Sequence, residues 1–353
     1  EVQGTVGFFH HQGCCQLPLD LKRVTDTLSN LGQSPNVGAA LIVSLGCEGT
    51  DHERLVEEIR ATGKPVEIIR IQELGGTSRA IQAGIDAAQH LVQQISGLQR
   101  ETVDISNVVM AIKCGASDTT SGMASNCVIG YVADKLVDLG ATVVFGETTE
   151  FLGGEHILAR RAVGGENGPV RQKIYEIVNR MEARAKSIGE DMRGGQPTPG
   201  NIAGGLSSIE EKSLGAIVKS GHRPIQGVLE YTDRVDDQKG LWIKDAPGRE
   251  PEILTGMAAT GAQLMLFSTG RGAPQGFPSM PVVKICGNPN TFERMQHDMD
   301  LNAGRIITGE KTIEEVGEEA FELLLRVLSG QMTKNEALGY FGSMDIFCLG
   351  PVI

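Results

Sequence analysis

Short apolar runs alternate with segments of helical periodicity along most of this chain, and that alternation restricts the fold more than any other feature. Gly4–Phe9, Ala39–Leu45, Val66–Ile71, Val103–Ile112 and Ala141–Phe145 read as buried strands. Between them, Asp20–Leu31, Asp51–Ala61, Thr77–Gln94 and Ser121–Leu139 read as helices, with Asp51 and Thr77 or Ser78 as N-caps. A long polar helix follows over Pro169–Glu190. After the Gly- and Pro-rich stretch Arg193–Gly205, which reads as irregular, the rhythm resumes with helix Ser208–Lys219 and strand Gln226–Tyr231. Helix Glu250–Thr260, strands Gln263–Ser268 and Pro281–Cys286 and helix Thr312–Leu328 complete it. The expected class is α/β, with parallel sheets flanked by helices in two lobes, residues 1–192 and 193–353. In such folds ligands bind at the carboxyl ends of the strands, so the loops after the apolar runs are where chemistry belongs.

Charge narrows the partners. With 32 Lys and Arg against 44 Asp and Glu, the net charge is −12, a field that disfavours nucleic acid and anionic membrane surfaces. No apolar run reaches the length of a membrane span, and no signal peptide is visible. The seven cysteines are an odd number in a long chain, which argues for reduced thiols and a cytoplasmic location rather than a disulfide framework.

Three cysteines share one context. Gly4–Phe9 leads to His10-His11-Gln12-Gly13-Cys14, Ala39–Leu45 to Gly46-Cys47-Glu48, and Val103–Ile112 to Lys113-Cys114-Gly115. If all three runs are strands of one parallel sheet, their loops converge on one edge. Thiolate and imidazole suit iron or zinc, either as a single ion or as a cluster with one open iron. Cysteine is also commonly just a small buried residue. His11 reads as an orienting or exposed neighbour.

Further polar groups follow other strand ends. Ser117, Asp118 and Ser121 precede a helix, where they can cap it or bind substrate oxygens. Gly146-Glu147 through Glu150, Glu155 and His156 places carboxylates and a histidine in a glycine-rich turn, suited to acid–base or metal chemistry. Asn201 and Lys212 flank a loop leading into a capped helix. Arg271 lies between glycines, as forked carboxylate recognition requires. Lys284 sits inside an apolar strand, unusual unless it is paired or catalytic. No Walker loop, G-x-G-x-x-G after the first strand, HExxH or G-x-S-x-G is present.

In order and spacing, these motifs resemble the altronate dehydratase and galactarate dehydratase family over essentially the whole chain. The likeness runs through His10…Gly13-Cys14, Gly46-Cys47-Glu48, Lys113-Cys114-Gly115…Ser117-Asp118…Ser121-Gly122 and Glu147…Glu150…Glu155-His156. It continues through Pro199-Gly200-Asn201…Gly204-Gly205-Leu206, Glu211-Lys212-Ser213-Leu214-Gly215, Thr269-Gly270-Arg271-Gly272 and Met299-Asp300. The resemblance implies a metal-dependent hydro-lyase that removes water from a sugar acid to give a 2-keto-3-deoxy acid. The expected metal is iron, as Fe2+ or an iron–sulfur cluster, or another divalent cation. It also implies a small additional domain or separate subunit as partner, and a homo-oligomer is expected. Cys127 departs from the pattern, which has proline there, and Gly342–Phe347 lacks a His-Glu-Phe-like ending.

On this reading His10, Cys14, Cys47, Cys114, Glu150 and Glu155 are the candidate metal ligands. Glu147, Asp118 and His156 are the candidate bases, and Lys113 completes the catalytic set. Ser117, Ser121, Asn201, Lys212, Arg271 and Lys284 hold the substrate. The metal would bind the carboxylate and a hydroxyl and stabilise the enediolate and the leaving hydroxide. A related branch releases sulfite from sulfolactate, and retention of Cys14 and Cys47 favours dehydration over it. A noncatalytic sugar-acid binding or scaffold protein is the reading from another class; the density of polar residues at strand ends argues against it.

Overall fold

The computed structural model describes residues 2–351 and 353. Two parallel sheets organise it. The smaller pairs β1 (Ala40–Ser44) with β2 (Val66–Arg70). The larger contains β3 (Val109–Gly115), β4 (Thr142–Phe145), β5 (Ile225–Leu229), β6 (Gly240–Lys244), β7 (Leu264–Thr269), β8 (Val282–Cys286) and β9 (Leu301–Asn302). Their order is β5-β6-β4-β3-β7-β8-β9, and every pairing is parallel. Parallel pairing requires crossovers, here largely supplied by helices. They are α1 (Pro18–Gly32), α2 (His52–Arg60), α3 (Thr77–Ile95), α4 (Asn126–Asp138), α5 (Glu155–Arg160), α6 (Pro169–Ser187), α7 (Pro199–Ala203), α8 (Ile209–Ile217) and α9 (Glu250–Ala259), with a later helix at Ile313–Leu328. The α/β class is as expected.

Both faces of the large sheet are covered, which is why its central strands read as unbroken apolar runs. Side chains alternate between two cores, as the strand period of two dictates. Met110 and Ile112 of β3, Val143 and Phe145 of β4, and Leu264 and Leu266 of β7 pack with Val128, Val132 and Leu136 of α4. Ala111, Val144, Met265 and Phe267 face the other way, against Leu254, Met257 and Ala258 of α9. The small sheet has its own core of Leu55, Val56, Ile59 and Val66. Asp51 caps α2 by accepting from the Arg54 N–H at 3.1 Å.

Several expectations need correcting. Gly4–Phe9 is not a strand; Phe9 is 78% exposed and Val6 59%. The run Val103–Ile112 becomes a strand only at Val109, because Asp104 caps a short turn at Ile105–Asn107. Helix α3 begins at Thr77 after Gly76, whose φ of 117° suits glycine, and it has no side-chain cap. Arg193–Gly205 contains α7, closed by a capping box between Thr198 and Asn201. A lobe boundary at residue 192 would cut through the large sheet, since β3 and β4 precede it and β5 to β9 follow. The sheets separate between α3 and β3. Among the described residues no helix is long and apolar enough to cross a membrane.

The C-terminal segment ties the two regions together. It runs extended past the large sheet, where Gln275 Nε2 donates to the Phe341 and Ser343 carbonyls, and it buries Ile346. It then reaches α1, where the buried Asp20 carboxylate accepts from the Leu349 and Gly350 N–H groups at 2.8 and 2.7 Å. Charge-assisted bonds of this kind contribute about 1.5–3 kcal/mol each. Asp20→Ala is therefore expected to lower the urea midpoint and make the segment 341–350 more sensitive to limited proteolysis; an unchanged digestion rate would contradict this role.

Candidate active site

The carboxyl ends of β3 and β4 carry the densest buried charge in the chain. β3 ends in Lys113-Cys114-Gly115, and β4 runs directly into Gly146-Glu147. Gly146 is required by crowding, because a Cβ there would lie 2.9 Å from the Lys244 carbonyl oxygen. Glu147 then adopts a left-handed φ of 70°, a conformation disfavoured for a non-glycine residue and often retained at functional sites. The turn sends its carboxylate back to the end of β3. Oε2 accepts from the Cys114 N–H at 2.9 Å, and Oε1 accepts from Lys113 Nζ at 3.0 Å.

A second lysine completes the cluster. Lys219 lies in the tight turn Val218–Ser220 that follows α8, and its Nζ is 2.5 Å from Glu147 Oε2, 2.7 Å from Glu150 Oε2 and 3.0 Å from Cys114 Sγ. Cys114 Sγ also donates to Glu150 Oε2 at 2.9 Å. Lys212 Nζ lies 3.7 Å from Glu150 Oε1 and donates to Gln196 Oε1 at 2.6 Å. Cations and anions thus alternate along Lys212–Glu150–Lys219–Glu147–Lys113. All but Lys212 are at most 4% exposed, and the Lys212 side chain is 12% exposed, so the chain emerges at that end.

Burial opposes the charges of Lys113, Lys219 and Glu150, and their partners overcome it. Burial alone would lower the Lys113 and Lys219 pKa values, yet Glu147 and its neighbours hold Lys113, and the Cys114 sulfur with Glu147 and Glu150 holds Lys219, above the ordinary lysine value. Burial would raise Glu150, but Lys219 and Lys212 bring it down to about 2. The Cys114 thiol is pushed up, first by burial and then by Glu150, so it is a thiol donor rather than a thiolate.

Polar loops border this cluster. Asp118 Oδ1 accepts from the Thr120 hydroxyl and the Ser121 N–H, and Oδ2 from Asn288 Nδ2 at 3.2 Å. Asn201 Nδ2 donates to the Ser117 carbonyl at 2.9 Å, while its Oδ1 caps α7. Ser121 donates to the Asp118 carbonyl. These contacts hold the loops, which leaves Asp118, Ser121 and Asn201 as organisers of backbone. Arg271 donates its backbone N–H to the Ala116 carbonyl at 2.9 Å and exposes its side chain. Phe267 of β7 is in register with both Lys113 of β3 and Lys284 of β8. Lys284 is buried, its Nζ donates to the Pro274 carbonyl at 3.0 Å, and burial lowers its pKa to about 8. Glu250 approaches the same edge; a Cβ on Gly115 would lie 2.4 Å from its Oε1 and 3.0 Å from Lys113 Nζ.

Other candidates are not gathered here. His156 is exposed on α5, and Glu155 leaves one buried oxygen without a partner. The loops of Cys14 and Cys47 are joined by the Gly49 N–H donating to the Gly13 carbonyl at 2.8 Å. Both cysteines are exposed, and His10 is half-buried. Among the described residues, they form no group of three mutually close ligand atoms. The expectation that the three loops follow strands of one sheet is overturned, because Gly4–Phe9 is not a strand and β1 belongs to a different sheet from β3. Conversely, Lys219 and Glu250 were not singled out from sequence. The signal for Lys219 was present: a lysine ending the run Ala216-Ile217-Val218, the same anomaly that marks Lys284.

Cys114, Glu147 and Glu150 offer one atom each within 4.8 Å of one another, a spacing that can hold a metal ion. The Lys219 ammonium already touches all three residues. An ion could enter only by displacing it, and Cys114 would first have to lose its proton, since thiolate is the ligand form. As arranged, the group does not fit a metal.

Sequence relatives place the chain. Residues 105–350 match the model for the C-terminal region of D-galactarate/altronate dehydratase, and residues 1–96 match the model for the second domain of D-galactarate dehydratase/altronate hydrolase. The chain belongs to this family of lyases. It is 39% identical over 344 residues to the (2R)-sulfolactate sulfo-lyase subunit beta of Chromohalobacter salexigens, covering 96% of this chain and 86% of that subunit. It is 35% identical to galactarate dehydratase (L-threo-forming) of Escherichia coli, covering 92% of this chain and 63% of that enzyme's length. Altronate dehydratase of Bacillus subtilis is 33% identical, with 98% of this chain and 67% of that enzyme covered.

Removing one partner from a buried ion pair costs about 3–5 kcal/mol. Lys219→Met is expected to destabilise the protein on that scale in urea denaturation, and adding Glu150→Gln to recover part of the loss. Glu150 also sets an acid limit. Its pKa of about 2 in the folded protein lies below the ordinary 4.5, so its stabilising contribution is present above pH 4.5 and is lost as pH falls toward 2. Glu150→Gln should flatten the stability slope across that window; an unchanged slope would remove Glu150 as its source.

Proposed function

We propose that this chain is the catalytic subunit of a lyase acting on a 2-hydroxy acid of the sugar-acid type, eliminating water to give a 2-keto-3-deoxy acid. The observation that carries the reading is the fully paired lysine–glutamate chain at the carboxyl ends of β3 and β4, opening through Lys212 beside the polar loops. The family supplies the reaction class: galactarate and altronate dehydratases are among its members.

In this reading the exposed Arg271 guanidinium takes the substrate carboxylate, as planar forked donors favour. The proton on the carbon next to the carboxylate is removed, the bond from the neighbouring carbon to its hydroxyl breaks, and the resulting enol becomes the ketone. Glu150, held down to about 2 by Lys219 and Lys212, is too weak a base for that step, and both Glu147 oxygens are committed to Lys113, Lys219 and the Cys114 N–H. Lys284 suits the task better, because its value near 8 makes the neutral amine available close to neutral pH. Lys212, at the open end of the chain, stabilises the departing oxygen. His10, Cys14 and Cys47 have no step in this scheme.

A second reading has its own support. The match to the sulfo-lyase subunit extends over 86% of that protein, and replacing the leaving hydroxide by sulfite changes nothing in the proton-removal half. Its subunit name also supports a second chain as partner.

A panel of aldonates, aldarates and sulfolactate, assayed for both 2-keto acid and sulfite, separates these readings. Keto acid without sulfite from a sugar acid is expected. Sulfite from sulfolactate alone would replace dehydration by the second reading, and neither product, with a partner subunit supplied, would defeat both. Arg271→Ala is expected to reduce kcat/KM at least 100-fold, about 2.7 kcal/mol, with little change in melting temperature. If Lys284 is the base, kcat/KM rises with pH through about 8, because the amine must be unprotonated; a flat profile would exclude it.

A further inference from the structure

We infer that Lys219 permanently occupies the position a cation would take among Cys114, Glu147 and Glu150, so that this ligand-like group is a lysine-held charge cluster and not a metal centre. An ammonium has three N–H donors, and Lys219 Nζ meets three acceptors, at 2.5 Å from Glu147 Oε2, 2.7 Å from Glu150 Oε2 and 3.0 Å from Cys114 Sγ. Its hydrogen-bonding capacity is therefore filled by the same three residues that present metal-ligand spacing.

The charges agree with the geometry. Glu147 and Glu150 carry two negative charges, already matched by Lys219 and by Lys113, whose Nζ is 3.0 Å from Glu147 Oε1. A divalent ion added to this set would bring positive charge with no counter-ion into a region that excludes water, a costly arrangement. Nor can the lysine readily step aside. Its side chain is fully buried, and its turn is clamped against α4. A Cβ on Gly130 would lie 2.5 Å from the Val218 carbonyl oxygen and 3.2 Å from the Gly221 nitrogen. Gly221 closes the turn with a φ of 62°. Gly130 and Gly221 together let the turn approach α4 closely enough to deliver Lys219 to the cluster.

This inference rests on packing and charge, independently of the substrate proposed above. The test is Co2+ titration of the anaerobically purified full chain, comparing wild type with Cys114→Ser and Glu150→Gln. Bound cobalt is read by elemental analysis and thiolate–cobalt coordination by near-ultraviolet absorption. The expected result is equal cobalt content and equal absorption in all three proteins. A thiolate–cobalt band in wild type that either substitution abolishes, together with loss of one bound ion, would overturn the inference. If one variant fails to fold, the other gives the same decision. The keto-acid and sulfite assays are unaffected by this outcome, so the two proposals fail separately.

Discussion

The contact on which the site depends is Lys219 with two carboxylates and a thiol in a place closed to water. Coulomb attraction at these separations is strong where the surroundings are poorly polarisable, but desolvating the ions cancels much of it. Such a group persists only when every charge has partners at good geometry. Several irregular features of the backbone provide that geometry. The left-handed turn at Glu147 returns its carboxylate to β3, glycine at 146 permits the turn, and Gly130 and Gly221 admit the loop bearing Lys219. Strand register, helix packing and turn chemistry therefore converge on one cluster.

The polar loops have a different economy. Asp118, Ser121 and Asn201 are as buried as catalytic groups often are, yet their hydrogen bonds go to backbone and to neighbouring loops. They fix the rim, and the cations at its edge, Arg271 and Lys212, are the groups proposed to meet a ligand. That division would suit the anionic substrate proposed above: loops fixed by their own hydrogen bonds shape the opening, while the exposed Arg271 and the partly buried Lys212 supply positive charge. The chain as a whole carries −12, so the attraction must be local, confined within roughly a Debye length of about 8 Å at physiological salt.

Periodicity made the parallel α/β class and most helices legible, because both are local properties of the chain. The glycine-flanked motifs after β3 and β4 also marked the correct strand ends. Sheet membership was not legible. Gly4–Phe9 has strand-like composition but forms no strand, and β1 pairs with β2 in a separate sheet, so loops that look equivalent in sequence do not end strands of one sheet. Lys219 escaped for a related reason: its partners Cys114, Glu147 and Glu150 are far away in sequence, and the local sign, a lysine closing an apolar run, does not say what it pairs with. Only the rule that a lysine within an apolar run needs a partner pointed to it.

The break between the two sheets has a functional consequence. The two matched family regions part between residues 96 and 105, where the fold itself changes from the small sheet to the large one. All members of the buried charge chain lie in the larger region, so the small sheet does not build the charged cluster. It carries the His10–Cys15 and Gly46–Glu48 loops with their exposed thiols, and its α1 receives the C-terminal segment through Asp20. Because that segment crosses the large sheet before reaching α1, displacement of the small region would pull on backbone held by Gln275 and Tyr231. That segment thereby ties the position of the cysteine loops to the large sheet, even though among the described residues no strand pairing connects the two.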